Sequence, residues 1–226
     1  MCNCYKQAQE FYEKGIHVVS TDEKTSIQAI ERIAPTKPMT FGLPEKIEFE
    51  YKRHGTQCLI PSFEVVTGKI ISYHLDQQRT EIDFVEHIRQ TVALAPSDQW
   101  IFVADQLNTH KSETLVRFVA REIGYTGDLG RKGISGILLN QDSCMSFLTD
   151  SSHRIRFIYT PKHSSWLNQV EIWFGILARK VLKRGSFSSI NDLRQKICSF
   201  IEFFNRAFAK PFKWTCSGVP LRTLRA

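Results

Sequence analysis

The sequence predicts an α/β protein in which a mixed five-stranded sheet is flanked by helices. The first observation is the order of the segments, because several strand-like segments come first and strands and helices alternate after them. The second is the segment QWIFVA at residues 99–104, which is apolar at almost every position, as a parallel strand covered on both faces requires. Hydrophobic residues make up 42% of the 226 residues, so the chain can bury the core of one large domain.

The first third of the chain supplies most of the predicted strands. Residues 5–14 are predicted to form a short helix that ends at Gly15, and the β-rich run IHVVST at Ile16–Thr21 stops at Asp22. Residues 35–46 are rich in Pro, Thr and Gly, which predicts a loop. Three further strands are predicted at residues 47–53, 59–66 and 69–75, with a hairpin turn at residues 67–68 between the last two.

Strands and helices alternate in the rest of the chain. The predicted elements are a helix at residues 80–95, a strand at 99–104, a helix at 111–123, a strand at 154–159 and helices at 165–182 and 190–208. Ser164 or Ser165 is the expected N-cap of the helix over 165–182. Residues 124–153 contain five glycines and are predicted to be an insert with little regular structure. This order is that of the ribonuclease-H-like (retroviral-integrase-like) fold, over residues 16–210, followed by an irregular tail at 211–226.

Charge and composition narrow the classes of function. Lysine and arginine total 30 against 23 acidic residues, and the formal charge of +7 suits a polyanionic partner such as a nucleic acid. No apolar run is long enough to span a bilayer, and the polar N-terminus has no signal-peptide core. The six cysteines are scattered without metal-site spacing, which favours reduced thiols and a cytoplasmic location.

Two aspartates directly follow predicted strands and are candidate metal ligands. In an open α/β sheet, ligands bind beyond the carboxyl ends of the strands, and the strands ending at Asp22 and Asp105 are neighbours in a ribonuclease-H-like sheet. Two carboxylates so close repel each other unless a cation or a proton lies between them. Oxygen ligands without a cysteine or histidine cluster suit Mg²⁺ or Mn²⁺. The alternative is that each aspartate is only a helix cap or a loop residue.

A third carboxylate lies on the predicted helix over residues 165–182. At about 100° per residue, Glu171 falls inside the apolar stripe of that helix, which consists of Leu167, Val170, Phe174, Leu177, Ala178, Val181 and Leu182. A buried glutamate is costly unless it is paired or binds a metal. Three carboxylates could hold two Mg²⁺ ions about 4 Å apart for in-line attack on a phosphodiester. A buried salt bridge or a solvent-filled groove is the alternative.

Three motifs resemble those of bacterial insertion-sequence transposases in the mariner superfamily, which carry a DDE superfamily endonuclease domain. They are VSTDEKTSIQ at residues 19–28, VADQLNTHK at 103–111 and TPKHSSWLNQVEIWF at 160–174. The resemblance implies that Asp22, Asp105 and Glu171 are the catalytic, metal-binding triad. Glu23 points to the opposite face of its strand from Asp22 and is not assigned to the metal.

The resemblance also implies an activity and partners. It implies Mg²⁺-dependent (or Mn²⁺-dependent) cleavage of double-stranded DNA at transposon ends with two ions, and strand transfer into target DNA by the freed 3′-hydroxyl. It further implies a homodimer on paired ends, and a DNA-associated protein in the bacterial cytoplasm. The chain departs from its relatives at Gln106, at Gln169 and in the longer spacing between Asp105 and Glu171.

The N-terminus differs most from the family pattern. Full-length relatives carry helix-turn-helix domains before the catalytic domain, whereas only residues 1–15 precede the first strand here, as a remnant linker helix. An alternative function is therefore an inactive transposase remnant that acts only as a DNA-binding or oligomerisation module. Another ribonuclease-H-like nuclease, such as a Holliday-junction resolvase, is a third hypothesis, which the motif around Glu171 disfavours.

Further side chains are candidates for contact with DNA. They are Lys162, His163 and Trp166 at the expected helix start, and the basic cluster Arg179, Lys180, Lys183 and Arg184 at the helix end. The alternatives are that Trp166 packs in the core and that the basic cluster only complements the helix dipole. His110 is expected to orient a phosphate or a water molecule, or else to bond the backbone at a helix start.

Overall fold

A computed structural model describes residues 1–34, 37–46 and 50–216 of the chain. Its six strands are β1 (Ile16–Thr21), β2 (Lys24–Arg32), β3 (Tyr51–Glu64), β4 (Lys69–Asp76), β5 (Gln99–Ala104) and β6 (Ile155–Tyr159). Parts of three predicted segments lie outside the described residues: 35–36 of the loop, 47–49 of the strand over 47–53, and 217–226 of the tail. The predicted strands over 16–21 and 99–104 are confirmed to the residue.

The registers of β3 fix the order of the sheet. Ser62 of β3 pairs with β1 and also with β4, so these two strands lie on opposite edges of β3. Leu59 pairs with Lys24 of β2 and with β4, so β2 lies on the same edge as β1. Strands β1 and β2 therefore form one line that is interrupted at Asp22 and Glu23. Because β1 pairs parallel to β5, and β5 parallel to β6, the order is β4, β3, β1 with β2, β5, β6.

The predicted mixed sheet flanked by helices is confirmed, but two strands predicted separately, at residues 47–53 and 59–66, fall largely in the single strand β3, and β2 is an additional strand. The helices are α1 (Cys2–Lys6), α2 (Ala8–Tyr12), α3 (Glu81–Val92), α4 (Glu113–Glu122), α5 (Gln141–Leu148), α6 (Val170–Leu177) and α7 (Ile190–Ala207). In the described part of the chain, none of the helices combines the length and the apolar character needed to cross a bilayer.

Side chains of the central strands alternate between two helical layers, as the two-residue period of a strand requires. Phe102 of β5 packs in a core with α3, α4 and α5, whereas Ile101 and Val103 face α1 and α2 on the other side. Helices α6 and α7 cover the same second face further along the sheet, around Phe63 and Trp173. The central strands thus lie between two helical layers.

The glycine-rich insert is more regular than the sequence predicts. Asn140 caps α5 because its Oδ1 accepts hydrogen bonds from the backbone N–H groups of Asp142 and Ser143, at 3.0 and 2.9 Å. Leu148, at the end of this helix, is fully buried in the core beside α4. The prediction of little regular structure is therefore wrong for residues 141–148.

The helix that carries Glu171 begins later than predicted. Residues 165–167 form a short 3-10 turn, α6 begins at Val170, and neither Ser164 nor Ser165 caps it. After Leu177 the chain continues as a π-helical turn at Ala178–Leu182. The late start has a physical cause, because the backbone of Asn168, just before α6, is extended, at φ −81° and ψ 114°, while its side chain donates a hydrogen bond to the Thr21 carbonyl.

Candidate metal centre

Asp22 and Asp105 extend neighbouring parallel strands. The register from Ile16 opposite Gln99 to Ser20 opposite Val103, continued by two residues, places Asp22 opposite Asp105. The expectation that these two strands are neighbours is confirmed. The side chain of Asp22 is buried, and its Oδ1 accepts a hydrogen bond of 2.8 Å from the backbone N–H of Glu23. Two carboxylates thus meet at one edge of the sheet.

The electrostatics of the two aspartates differ. Burial, together with the negative charge of Asp105, raises the pKa of Asp22 to about 7. Burial also acts to raise the pKa of Asp105, but the hydrogen bond and positive charge of His110 outweigh it, so the pKa is lowered. A divalent cation would relieve the unfavourable charge on Asp22. The donors, carboxylate oxygens in a buried setting, fit Mg²⁺ or Mn²⁺.

Asn168 ties the start of α6 to the end of β1. Its Nδ2 donates hydrogen bonds to the Thr21 carbonyl at 2.9 Å and to Asp22 Oδ2 at 3.3 Å. Its Oδ1 accepts from the hydroxyl of Ser20, and that hydroxyl oxygen accepts from the backbone N–H of Val170 at 2.8 Å. Asn168 is not among the residues predicted from the sequence, because its partners Ser20, Thr21 and Asp22 lie far away along the chain.

Glu171 lies in the first turn of α6, shortly after Asn168. Its backbone N–H donates to the Asn168 carbonyl at 3.0 Å. Burial raises the pKa of Glu171, Lys24 opposes the rise, and the charge of Asp105 adds to it. The charge of Asp105 therefore acts on both Asp22 and Glu171. Among residues 1–34, 37–46 and 50–216, no three acidic, histidine or cysteine side chains are arranged as they stand to hold one ion.

His110 connects the centre to a second, buried carboxylate. The fully buried ring places Nδ1 at 2.7 Å from Asp105 Oδ1 and Nε2 at 3.1 Å from Glu23 Oε2, an ion-pair distance outside hydrogen-bond geometry. Burial alone would lower the pKa of His110, but the two carboxylates raise it to about 10, so the ring is charged at neutral pH. His110 thus contacts carboxylates and is closed to a phosphate or water from solvent.

Glu23, which has no role predicted from the sequence, is buried beside His110. Its side chain is 2% exposed and lies 3.6 Å from Arg79 as well as close to His110. The partner of Asp22 is Asn168, at the start of α6, whereas the His110 ring beside Glu23 packs on Phe84 of α3. The neighbours Asp22 and Glu23 thus reach opposite faces of the sheet, as the strand period predicts.

The candidate DNA contacts all lie at the surface. Lys162, His163 and Trp166 are exposed in the segment before α6, and the 61% exposure of Trp166 rules out core packing for it. None of the three lies at a helix N-terminus, because α6 begins only at Val170. The basic cluster is exposed on and after the π-helical turn, at Arg179, Lys180, Lys183 and Arg184. All these side chains are accessible to DNA, and their contact with it stays a prediction.

A family model described as DDE superfamily endonuclease matches residues 17–194, most of the chain. A comparison with curated proteins finds no match. The solved structures with a similar fold include the Mos1 mariner paired end complex with Mn, at a TM-score of 0.53 and 12% identity, over 89% of this chain and 53% of that chain. The Mos1 transposase paired-end complex with left transposon end is similar at 0.52 and 13%, over 88% and 52%.

These identities are low, so the likeness shows the fold alone, which is the fold of the Mos1 mariner structures. The chain spans about half the length of the Mos1 chains that it matches.

Proposed function

Because this chain belongs to the DDE superfamily of endonucleases, we propose that it is a transposase catalytic core that cleaves DNA at transposon ends. Asp22, Asp105 and Glu171 would hold two divalent ions, Mg²⁺ or Mn²⁺. The observation that carries the proposal is the parallel register of β1 and β5, which aligns the two aspartates at one edge of the sheet. When bound, the ions would activate the attacking hydroxyl and stabilise the leaving oxygen.

The protein residues have distinct tasks in this proposal. Asp105 stays ionised because the charged His110 lies against it, and Asp22 is the carboxylate that gains most from a cation, since its pKa is near 7. Asn168 fixes the start of α6 to β1, and thereby the position from which Glu171 turns toward the aspartates. The Glu171 side chain is half buried, and in this proposal it turns toward the aspartates when the ions bind.

Double-stranded DNA is the proposed substrate. The formal charge of +7 and the exposed basic cluster at residues 179–184 suit a phosphate backbone. The similar Mos1 structures are complexes with paired transposon ends, which supports transposon ends as the substrate and a dimer as the active form. Strand transfer into target DNA is proposed on the same ground.

The test is a nicking assay on supercoiled plasmid with Mg²⁺, Mn²⁺ or EDTA. We expect nicking with either metal, none with EDTA, and a loss of at least about a hundredfold in Asp105→Asn, since one metal ligand is removed. The control is Asp98→Asn, an aspartate at the opposite end of the same strand, which contacts His17 and should leave nicking unchanged.

Equal nicking by Asp105→Asn and the parent, with both proteins folded by circular dichroism, would reject the mechanism. Salt-sensitive DNA binding without any metal-dependent nicking would instead favour the non-catalytic module.

A further inference from the structure

An open groove of about 510 Å³ lies between β2 and the π-helical turn that continues α6. It begins beside the candidate metal centre, because Lys24, at one end of the groove, follows Asp22 by two residues. Near the other end, the carbonyl of Lys183 accepts a hydrogen bond of 3.2 Å from Arg32 Nη2, at the end of β2. The groove therefore leads away from the metal centre along the helix that carries Glu171.

Three cations line this groove, and none of the described residues that line it is acidic. They are Lys24 of β2, Arg179 of the π-helical turn and Lys183 just after that turn. The side chains of Arg179 and Lys183 form no hydrogen bond or ion pair in the described part of the chain, and Lys24 Nζ lies 5.5 Å from the centre of the Phe174 ring. A cleft lined by charges of one sign attracts a ligand of the opposite sign.

The acidic residues close to these cations along the chain do not pair with them. Glu23 and Glu31 each lie against a histidine, at 3.1 and 2.7 Å. Burial raises the pKa of Glu171 and the charge of Lys24 opposes the rise, but the two side chains form no ion pair. The positive charge of the groove is therefore not cancelled by a contact within the described ranges.

The side chain of Arg179 turns back toward Glu171. Glu171, Gly175 and Arg179 follow one another at four-residue steps and so lie on one side of the helix. A methyl group at Gly175 would lie 3.4 Å from Nη1 of Arg179, so the guanidinium group lies over this glycine. It is thus about one helical turn, roughly 5.4 Å, beyond the position of Glu171.

The groove also offers polar groups and length that suit a nucleic-acid strand. Thr25, Ser26 and Gln28 line it and are exposed, and their hydroxyl and amide groups are of the kind that contacts phosphate oxygens. From Glu171 to Lys183 the helix rises by about 18 Å. This distance corresponds to several nucleotides at about 3.4 Å of rise per strand.

We propose that this groove binds the sugar-phosphate backbone of the DNA strand that enters the metal centre, with Lys24, Arg179 and Lys183 as its contacts to phosphates. The proposal rests on the proposed function and adds Lys24 to the DNA contacts. It also divides the basic cluster, because Lys180 lines a different, apolar cavity beside α7.

The test measures binding of a short DNA duplex of arbitrary sequence in EDTA, which needs no catalysis. Replacing Lys24, Arg179 and Lys183 together by methionine removes three charges and keeps aliphatic side chains. We expect binding that is at least about tenfold weaker, and a slope of log affinity against log salt that is smaller by about 2.7, at about 0.9 for each lost phosphate contact. The control is Lys14→Met, an exposed lysine before the opposite end of β1, which should change neither quantity.

Single variants of the π-helical turn test the position of the groove. Arg179→Met should weaken binding more than Lys180→Met, since the two neighbours line different cavities. Equal losses would overturn the proposal, because they would indicate attraction by the net charge of the helix end alone. If the triple variant does not fold, Lys183→Met joins Arg179→Met in its place, since both residues are exposed.

Unchanged affinity and salt slope in these groove variants would also overturn the proposal. Weaker binding in the groove variants, together with absent nicking in the parent, would support the groove and contradict the proposed catalysis alone. Metal-dependent nicking in the parent with unchanged DNA binding in the groove variants would contradict the groove alone.

Discussion

The buried pair of Glu23 and His110 is the least expected feature at the level of single residues. Both side chains are almost fully excluded from solvent, and the imidazolium ring touches a proposed metal ligand, Asp105, on its other side. A buried charge that loses its partner is destabilising, whereas an exposed pair contributes little. This contrast gives a test within the chain.

We predict that Glu23→Gln lowers the free energy of unfolding by about 1–3 kcal/mol, because the charged ring then faces a neutral amide. The measurement is urea denaturation at neutral pH. The matched control is Glu31→Gln, whose carboxylate lies 2.7 Å from His54 but is 39% exposed, and its effect should stay below about 1 kcal/mol. Similar losses in the two variants would argue against a buried charge pair at Glu23.

His87 provides a second prediction, on the dependence of stability on pH. Its ring is fully buried against Ser62, at 2.8 Å, and burial lowers its pKa from 6.5 to about 3, with a smaller effect from His74. Between these two values the unfolded chain binds a proton that the folded chain does not, so stability falls as the pH falls. The cost approaches about 1.4 kcal/mol per pH unit.

We therefore expect His87→Gln to show a shallower fall in the free energy of unfolding between pH 7 and pH 5 than the parent. Urea denaturation at several pH values measures both curves. Two parallel curves would contradict a neutral buried His87.

The residues of the centre differ in how far the sequence reveals them. Asp22 and Asp105 could be predicted because each ends a local apolar run, and the fold then brings the two runs together. Asn168 and Glu23 could not, because their roles depend on partners far along the chain, in β1 and in the turn after β5. Nothing in the local pattern of residues encodes such contacts.

At the level of elements, local apolar patterns predict correctly, whereas features that depend on partners far along the chain are missed. Strand β5 is buried on both faces and is therefore visible as an apolar run. Strand β2 was missed, because only Ile27 and Ala29 are buried among its nine residues and its hydrogen bonds come from pairing with β3. The start of α6 was misplaced because tertiary bonds of Asn168 decide it rather than a cap.

Helix α5 gives the prediction at this level. Leu148 is fully buried between α4 and the sheet, so Leu148→Ala should cost about 2–5 kcal/mol. Leu139→Ala, in the same insert but 45% exposed, should cost less than about 1 kcal/mol. Chemical denaturation of both variants measures the difference, and an equally small cost at the two sites would mean that the insert is not part of the core.

At the level of the whole molecule, the sheet aligns two distant aspartates, and one helix holds Glu171 near the same end of β1. The register of β1 with β5 aligns the aspartates, and the bonds of Asn168 hold the helix that carries Glu171 against β1. The mixed sheet and the neighbouring positions of β1 and β5 followed from the sequence, because they depend on the order of elements and few topologies satisfy it. The side-chain geometry of the centre did not, since it depends on packing between both helical layers.

The most direct test of the three-carboxylate site is the anomalous diffraction of a crystal of this chain soaked in Mn²⁺. We expect a manganese peak coordinated by the carboxylates of Asp22, Asp105 and Glu171, with Glu171 turned toward the two strand ends. Manganese bound elsewhere, or held at this edge of the sheet without Glu171 in a fully loaded crystal, would contradict it.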